Sequence, residues 1–189
     1  MSASYLTLAK KLLLVAVLAI YPYGSALSIQ APEQTVATPV AKAAGKAIVL
    51  PERIPANCLN NAAERYKVPS IALLAIMKQE SNGRVGVIGK NKNGSRDIGP
   101  AQLNTSSWAK YMVEKHNIPI SELRDNMCQA LMAQAYALRY EWNTCIQKRQ
   151  NPDIWCAIAY YHSPTPKYQR IYVEKVWAHY QRMIRNGRF

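Results

Sequence analysis

The chain predicts an α+β domain that is mostly helical, with one small β-hairpin. Three observations carry this. From residue 57 onward, successive stretches place apolar residues at helical spacing. Pro-Ser, Asn-Gly and Asn-Pro pairs punctuate those stretches as starts and stops. Between them, residues 83–99 hold five of the eight glycines and interrupt the helices with hairpin signals.

The first stretch reads as a secretory signal, residues 1–26. Lys10 and Lys11 form its basic part, residues 12–20 its apolar core, and Gly24-Ser25-Ala26 the small residues for cleavage after Ala26. The apolar run is short for a membrane span, so no stable span is expected after cleavage; the alternative is an uncleaved anchor. No Cys stands at the cleavage point, so no lipoprotein is expected. Residues 27–56, rich in Ala, Pro, Thr and Val, read as a flexible leader, and residues 57–189 as the domain.

Within the domain a helix is expected over 57–66, with Cys58, Leu59, Ala62 and Ala63 facing inward. The next helix, 71–81, follows Pro69-Ser70 and stops at Asn82-Gly83. It is apolar almost all round and so reads as buried. Leu73, Ile76, Met77 and Glu80 fall at i, i+3, i+4 and i+7, so a carboxylate ends an apolar stripe. Burial disfavours its charged form and raises its pKa, which is what a general acid needs. The alternative is a helix-end residue turned to solvent or paired with an Arg.

The glycine-rich stretch reads as an irregular hairpin turning at Asn93-Gly94, or else as an unstructured loop. After Gly99-Pro100-Ala101-Gln102-Leu103-Asn104, Thr105 is the expected cap of a helix over 106–116, which Ile118-Pro119-Ile120 breaks. A long helix is expected over 126–147, another from Asn151-Pro152 to Tyr161, and a last one over 168–184 after Ser163-Pro164-Thr165-Pro166.

The formal charge is +13; residues 1–26 carry two lysines and no acid, so +11 remains without them. A basic exported protein is drawn to anionic polymers, membranes or cell-wall material. Lys and Arg are scattered, with no groove-reading motif, so no nucleic-acid partner is expected. Cys58, Cys128, Cys145 and Cys156 form an even set in an exported chain and read as two disulfides, with three connectivities open. Their spacing is not that of a zinc knuckle, and His116, His162 and His179 stand far apart, so neither metal nor other cofactor is expected.

Glu80-Ser81, the glycine-rich stretch, the Gly99 to Asn104 segment and Ala157-Ile158-Ala159-Tyr160-Tyr161 form an ordered set behind a signal sequence. In this the chain resembles the lysozyme-like (soluble lytic transglycosylase) family, particularly the small enzymes that accompany conjugation, type IV secretion and related envelope machines. The resemblance covers about residues 57–172. It implies a goose-lysozyme-like domain whose cleft takes peptidoglycan glycan strands, with components of such a machine as further partners and a periplasmic location.

It further implies that Glu80 is the catalytic residue. Glu80 would protonate the bond between N-acetylmuramic acid and N-acetylglucosamine, then act as base while the C6 hydroxyl closes a 1,6-anhydro ring. Hydrolases normally use two carboxylates, and only Asp97 stands near Glu80 in the sequence as a second; a turn residue bonded to nearby backbone is the favoured reading for Asp97. Ser81, Gln102 and Tyr161 match substrate-binding positions, with Tyr161 near enough to hydrogen-bond the acid. His162 departs from the usual Asn, and imidazole can donate and accept as an amide does. Trp108, Tyr160 and Tyr168 are candidates for stacking on sugar rings, with core packing as the alternative. The resemblance pairs Cys58 with Cys128 and leaves Cys145 with Cys156. Two other readings stay open: a lysozyme-type hydrolase, and a wall-binding assembly module with weak catalysis.

Overall fold

The computed structural model describes residues 40–43, 46–148 and 152–189; the expected signal sequence and its cleavage point lie outside them. The described chain is α+β and mostly helical. It comprises strands β1 (Val40–Ala43) and β2 (Lys46–Val49), helices α1 (Ala56–Tyr66) and α2 (Ser70–Ser81), and strands β3 (Ile88–Lys90), β4 (Arg96–Ile98) and β5 (Leu103–Asn104). Helices α3 (Trp108–His116), α4 (Ile120–Asp125), α5 (Met127–Lys148), α6 (Ile154–His162) and α7 (Pro166–Asn186) follow.

Helix α2 is the centre of the packing. It starts after Pro69 and ends where Asn82 turns left-handed (φ 57°). Residues Ala72 to Met77 are all buried, as an all-round apolar helix requires. Around it stand α1, α5, α6 and α7. Burying each of Leu73, Leu74, Ile76 and Met77 contributes about 1.5–3 kcal/mol. Helix α7 lays Tyr172, Val176 and Met183 on this core.

Three elements differ from the expectation. The supposed leader enters the fold: β1 and β2 pair antiparallel from Val40↔Val49 to Ala43↔Lys46, and Ile48, Leu50 and Ile54 are buried in the core. Val49 donates to the Gly187 carbonyl (2.9 Å) and accepts from the Phe189 amide (3.1 Å), which ties this strand to the end of α7. The small sheet has a third strand, in the order β3-β4-β5, both pairings antiparallel. Helix α4 is an added turn after Pro119, whose fixed φ suits the residue before a helix. Thr105 also moves from the role of cap: its hydroxyl accepts from the Arg96 amide (2.9 Å) within the sheet.

The structure joins Cys58 to Cys128 (Cα–Cα 5.0 Å, 70 residues apart) and Cys145 to Cys156 (6.2 Å, 11 apart). The first fastens α1 to the start of α5, and the second fastens the end of α5 to α6. Chain-entropy arguments give about 4 kcal/mol for the longer closure and about 3 for the shorter.

Candidate active site

A cleft of about 720 Å³ runs between the C-terminal end of α2, the three-stranded sheet and the α6–α7 corner. Glu80 opens into it from the last turn of α2. One side of its surroundings is the apolar core; the other is the α7 residue Tyr172, whose hydroxyl donates to Glu80 Oε1. Burial pushes the Glu80 carboxyl up, the Tyr172 hydrogen bond pulls it back in part, and the charge of Asp97 pushes it up again, to about 7. Near neutral pH this group therefore exists in both protonation states.

Tyr172 is itself fixed on two sides. It is buried, and its ring lies flat against that of His162 (centroids 4.2 Å apart, 2° between planes). Burial and the neighbouring Glu80 hold its phenol well above the ordinary range, so it stays a donor. The His162 imidazole is lowered by partial burial, raised by Asp97 and lowered again by Lys175; the net direction is down, which favours the neutral ring.

The loop before β5 is held by a set of short bonds. Gly99 has φ +68°, and a Cβ there would stand 2.1 Å from the Leu123 carbonyl oxygen, so only glycine fits. Ser81 Oγ donates to the Pro100 carbonyl (2.7 Å) and accepts from the Arg84 amide (3.1 Å). Tyr161 donates to the Ala101 carbonyl (2.8 Å). Gln102, itself left-handed at φ 47°, donates from Nε2 to the Gly99 carbonyl (2.7 Å). Its Oε1 lies beside Gly89, where a Cβ would come within 3.0 Å of it. The missing side chain at Gly89 is what lets Gln102 lie across the sheet.

Asp97 lies on β4 in the same cleft. Asn91 donates to its Oδ2 (2.9 Å) and Asn104 to its Oδ1 (2.7 Å), so both carboxylate oxygens are held by amides. It is a sheet residue bonded to side chains rather than a turn residue bonded to backbone.

Of the residues singled out from sequence, Glu80, Gln102, Tyr161 and His162 line the cleft together. Ser81 does not: it is buried, and its hydroxyl is used in joining α2 to the loop at Pro100. Tyr161 does not bond the acid; its hydroxyl serves Ala101, and Tyr172 takes the place expected for it. Trp108 and Tyr168 face the cleft, whereas Tyr160 lies beneath the Lys148 ammonium (5.1 Å) and outside it. Tyr172 went unassigned by sequence. Its signal is a phenol in the inner stripe of α7 with Val176, since a buried hydroxyl needs a partner.

A titratable acid, a polar floor of amides and hydroxyls, and two aromatic rims suit a hydroxyl-rich chain with a bond to be protonated. Such a cleft on a mostly helical α+β domain has the features of an enzyme that protonates a bond in a polar polymer. The sequence matches the Transglycosylase SLT domain over residues 57–174, and the protein belongs to this family of lytic transglycosylase-type enzymes of peptidoglycan. It is 30% identical over 132 residues to invasion protein IagB of Salmonella typhimurium, covering 68% of this chain and 78% of that one; the protein of the same name in Salmonella typhi aligns to the same extent. Protein IpgF of Shigella flexneri is 43% identical over a shorter stretch of 49 residues, 26% of this chain and 32% of that one.

Proposed function

We propose that the protein cleaves the β-1,4 bond between N-acetylmuramic acid and N-acetylglucosamine in peptidoglycan, with Glu80 as its single general acid and base. The observation that carries this is the Glu80 carboxyl, poised at about 7 in a cleft whose other carboxylate is tied by two amides. Protonated Glu80 gives its proton to the glycosidic oxygen as the bond to muramic C1 breaks. The resulting carboxylate takes the proton of the muramic C6 hydroxyl as O6 bonds to C1. No water is consumed, the product ends in 1,6-anhydromuramic acid, and Glu80 returns protonated. Gln102 and His162 bind sugar hydroxyls, Trp108 and Tyr168 flank the sugar rings, and Ser81 and Tyr161 hold the loop that carries Gln102.

The N-terminal 26 residues deliver the protein to the periplasm, and local opening of the wall serves a secretion or conjugation apparatus. The basic charge and the likeness to an invasion protein support that role. A lysozyme-type hydrolysis is the second reading, favoured by the presence of Asp97 in the cleft.

Mass spectrometry of soluble products from purified peptidoglycan tests the chemistry, with Glu80→Gln alongside. Anhydromuramic products that vanish in the variant are expected. Products heavier by one water would replace the transglycosylase reading with the hydrolase, and full activity in a folded variant would remove Glu80 from its role.

A further inference from the structure

A second concavity, of about 190 Å³, opens between α2, the C-terminal half of α7 and the residues that follow it. Lys78, His179, Arg182 and Arg188 line it together with the Phe189 ring. Lys78 comes from α2, Arg182 from α7 and Arg188 from the strand-like end that bridges to Val49. A fourth cation, Arg53, stands at its edge: Lys78 Nζ and the Arg53 guanidinium both lie over the Phe189 ring, at 4.6 and 5.9 Å.

No acidic side chain is among the residues that line this pocket. Among the described residues the ion pairs are Lys110–Glu114 and Arg124–Asp125, and neither involves any of them or the Phe189 carboxylate. The charged groups that act on Lys78 are Arg53 and Arg182, and those that act on His179 are Arg182 and Lys78. With partial burial, the larger cause, they lower both groups. Arg53 spends one bond on the Asn82 carbonyl (3.0 Å) and Arg182 one on the Ala178 carbonyl (3.3 Å); most of the guanidinium donors stay open. Like charges held in a concave place cost stability unless an anion enters.

We propose that this pocket is a phosphate-binding site in which Lys78, Arg182 and Arg188 converge on one tetrahedral oxyanion, borne by free phosphate or by an anionic phospholipid headgroup. Three cationic side chains from three segments approach from different sides, which suits the tetrahedral spread of oxygens on a phosphate better than a planar carboxylate. The aromatic ring beneath Lys78 and Arg53 holds these two cations at the pocket. The site is separate from the cleft, shares no lining residue with it and does not rest on the chemistry proposed there.

The purified protein without the 26-residue export signal is titrated with inorganic phosphate at constant ionic strength, with melting temperature as the readout. In parallel it is sedimented with phosphatidylcholine vesicles that contain or lack phosphatidylglycerol. Arg182→Gln/Arg188→Gln removes two exposed donors, and Lys115→Gln/Lys167→Gln, exposed elsewhere, removes the same charge. Saturable stabilisation by phosphate is expected, weakened roughly tenfold or more in the arginine variant and unchanged in the lysine variant. Capture by phosphatidylglycerol with the same dependence on the arginines, and no response to free phosphate, would assign the headgroup as the source. Equal responses in both variants would reduce the effect to net charge and overturn the proposal, as would no response to either probe. Peptidoglycan cleavage stays unchanged in the arginine variant.

Discussion

The two walls of the cleft carry the same chemical group in opposite circumstances. On the helical wall, Glu80 ends a buried apolar helix and has one neutral donor, the Tyr172 hydroxyl. On the sheet wall, Asp97 sits in a polar hairpin with an amide on each oxygen. Desolvation dominates the first carboxyl and raises it to about 7. The second carboxyl has a side-chain amide donor on each oxygen and lies in a polar strand pair. The residue type is thus a weak guide to role; burial, more than any partner, is what brings the Glu80 carboxyl to where it can exchange a proton near neutral pH.

The sharpest break of this contrast is Glu80→Gln, which keeps shape and removes the proton. Cleavage is expected to fall by about 10²–10⁴-fold, the range for a positioned general acid and base. Next is stability. In the folded protein burial raises the Glu80 carboxyl to about 7, against 4.5 for an ordinary glutamate. The unfavourable charged form is absent below the unfolded value, so the native state is favoured there. That advantage is lost as pH rises from about 4.5 through 7, by about 3 kcal/mol. Denaturant unfolding of wild type and Glu80→Gln across this window reads the difference, because the variant lacks the change. A difference that stays flat with pH would deny the raised value.

Tyr172→Phe removes the one donor that lowers Glu80. The alkaline limb of kcat/KM then moves to higher pH and the rate falls by about tenfold, the weight of one hydrogen bond to a charged group. Smallest is Asp97→Asn. It removes the charge that raises Glu80, so the alkaline limb moves to lower pH with less than about tenfold loss. A loss at Asp97 as large as that at Glu80 would erase the contrast and make the pair a two-carboxylate hydrolase.

Much of the helical wall was legible because local chemistry agrees with the fold. Pro69, the apolar run and Asn82 mark α2 and its ends, and Glu80 falls in the inward stripe. The sheet wall was legible only as a hairpin. Two-residue β5 is too short for a period of two to register, and Asp97 is held by Asn91 and Asn104, six residues before it and seven after it. Tyr172 was out of reach because its partner is 92 residues away, and no local pattern reports such a contact. Ser81 stands next to the acid in sequence, yet the helical turn sends it to Pro100 instead of the cleft. The β1–β2 pair hides in an Ala- and Lys-containing stretch, although Ile48 and Leu50 alternate with exposed Val49 as a half-buried strand should.

The Glu80 carboxyl is raised to about 7, and infrared titration reads that protonation itself. The carboxyl stretching band present in wild type and absent in Glu80→Gln is followed with pH. A midpoint near 7 is expected. A midpoint near the 4.5 of an ordinary glutamate would contradict it and leave Glu80 without the proton the reaction needs.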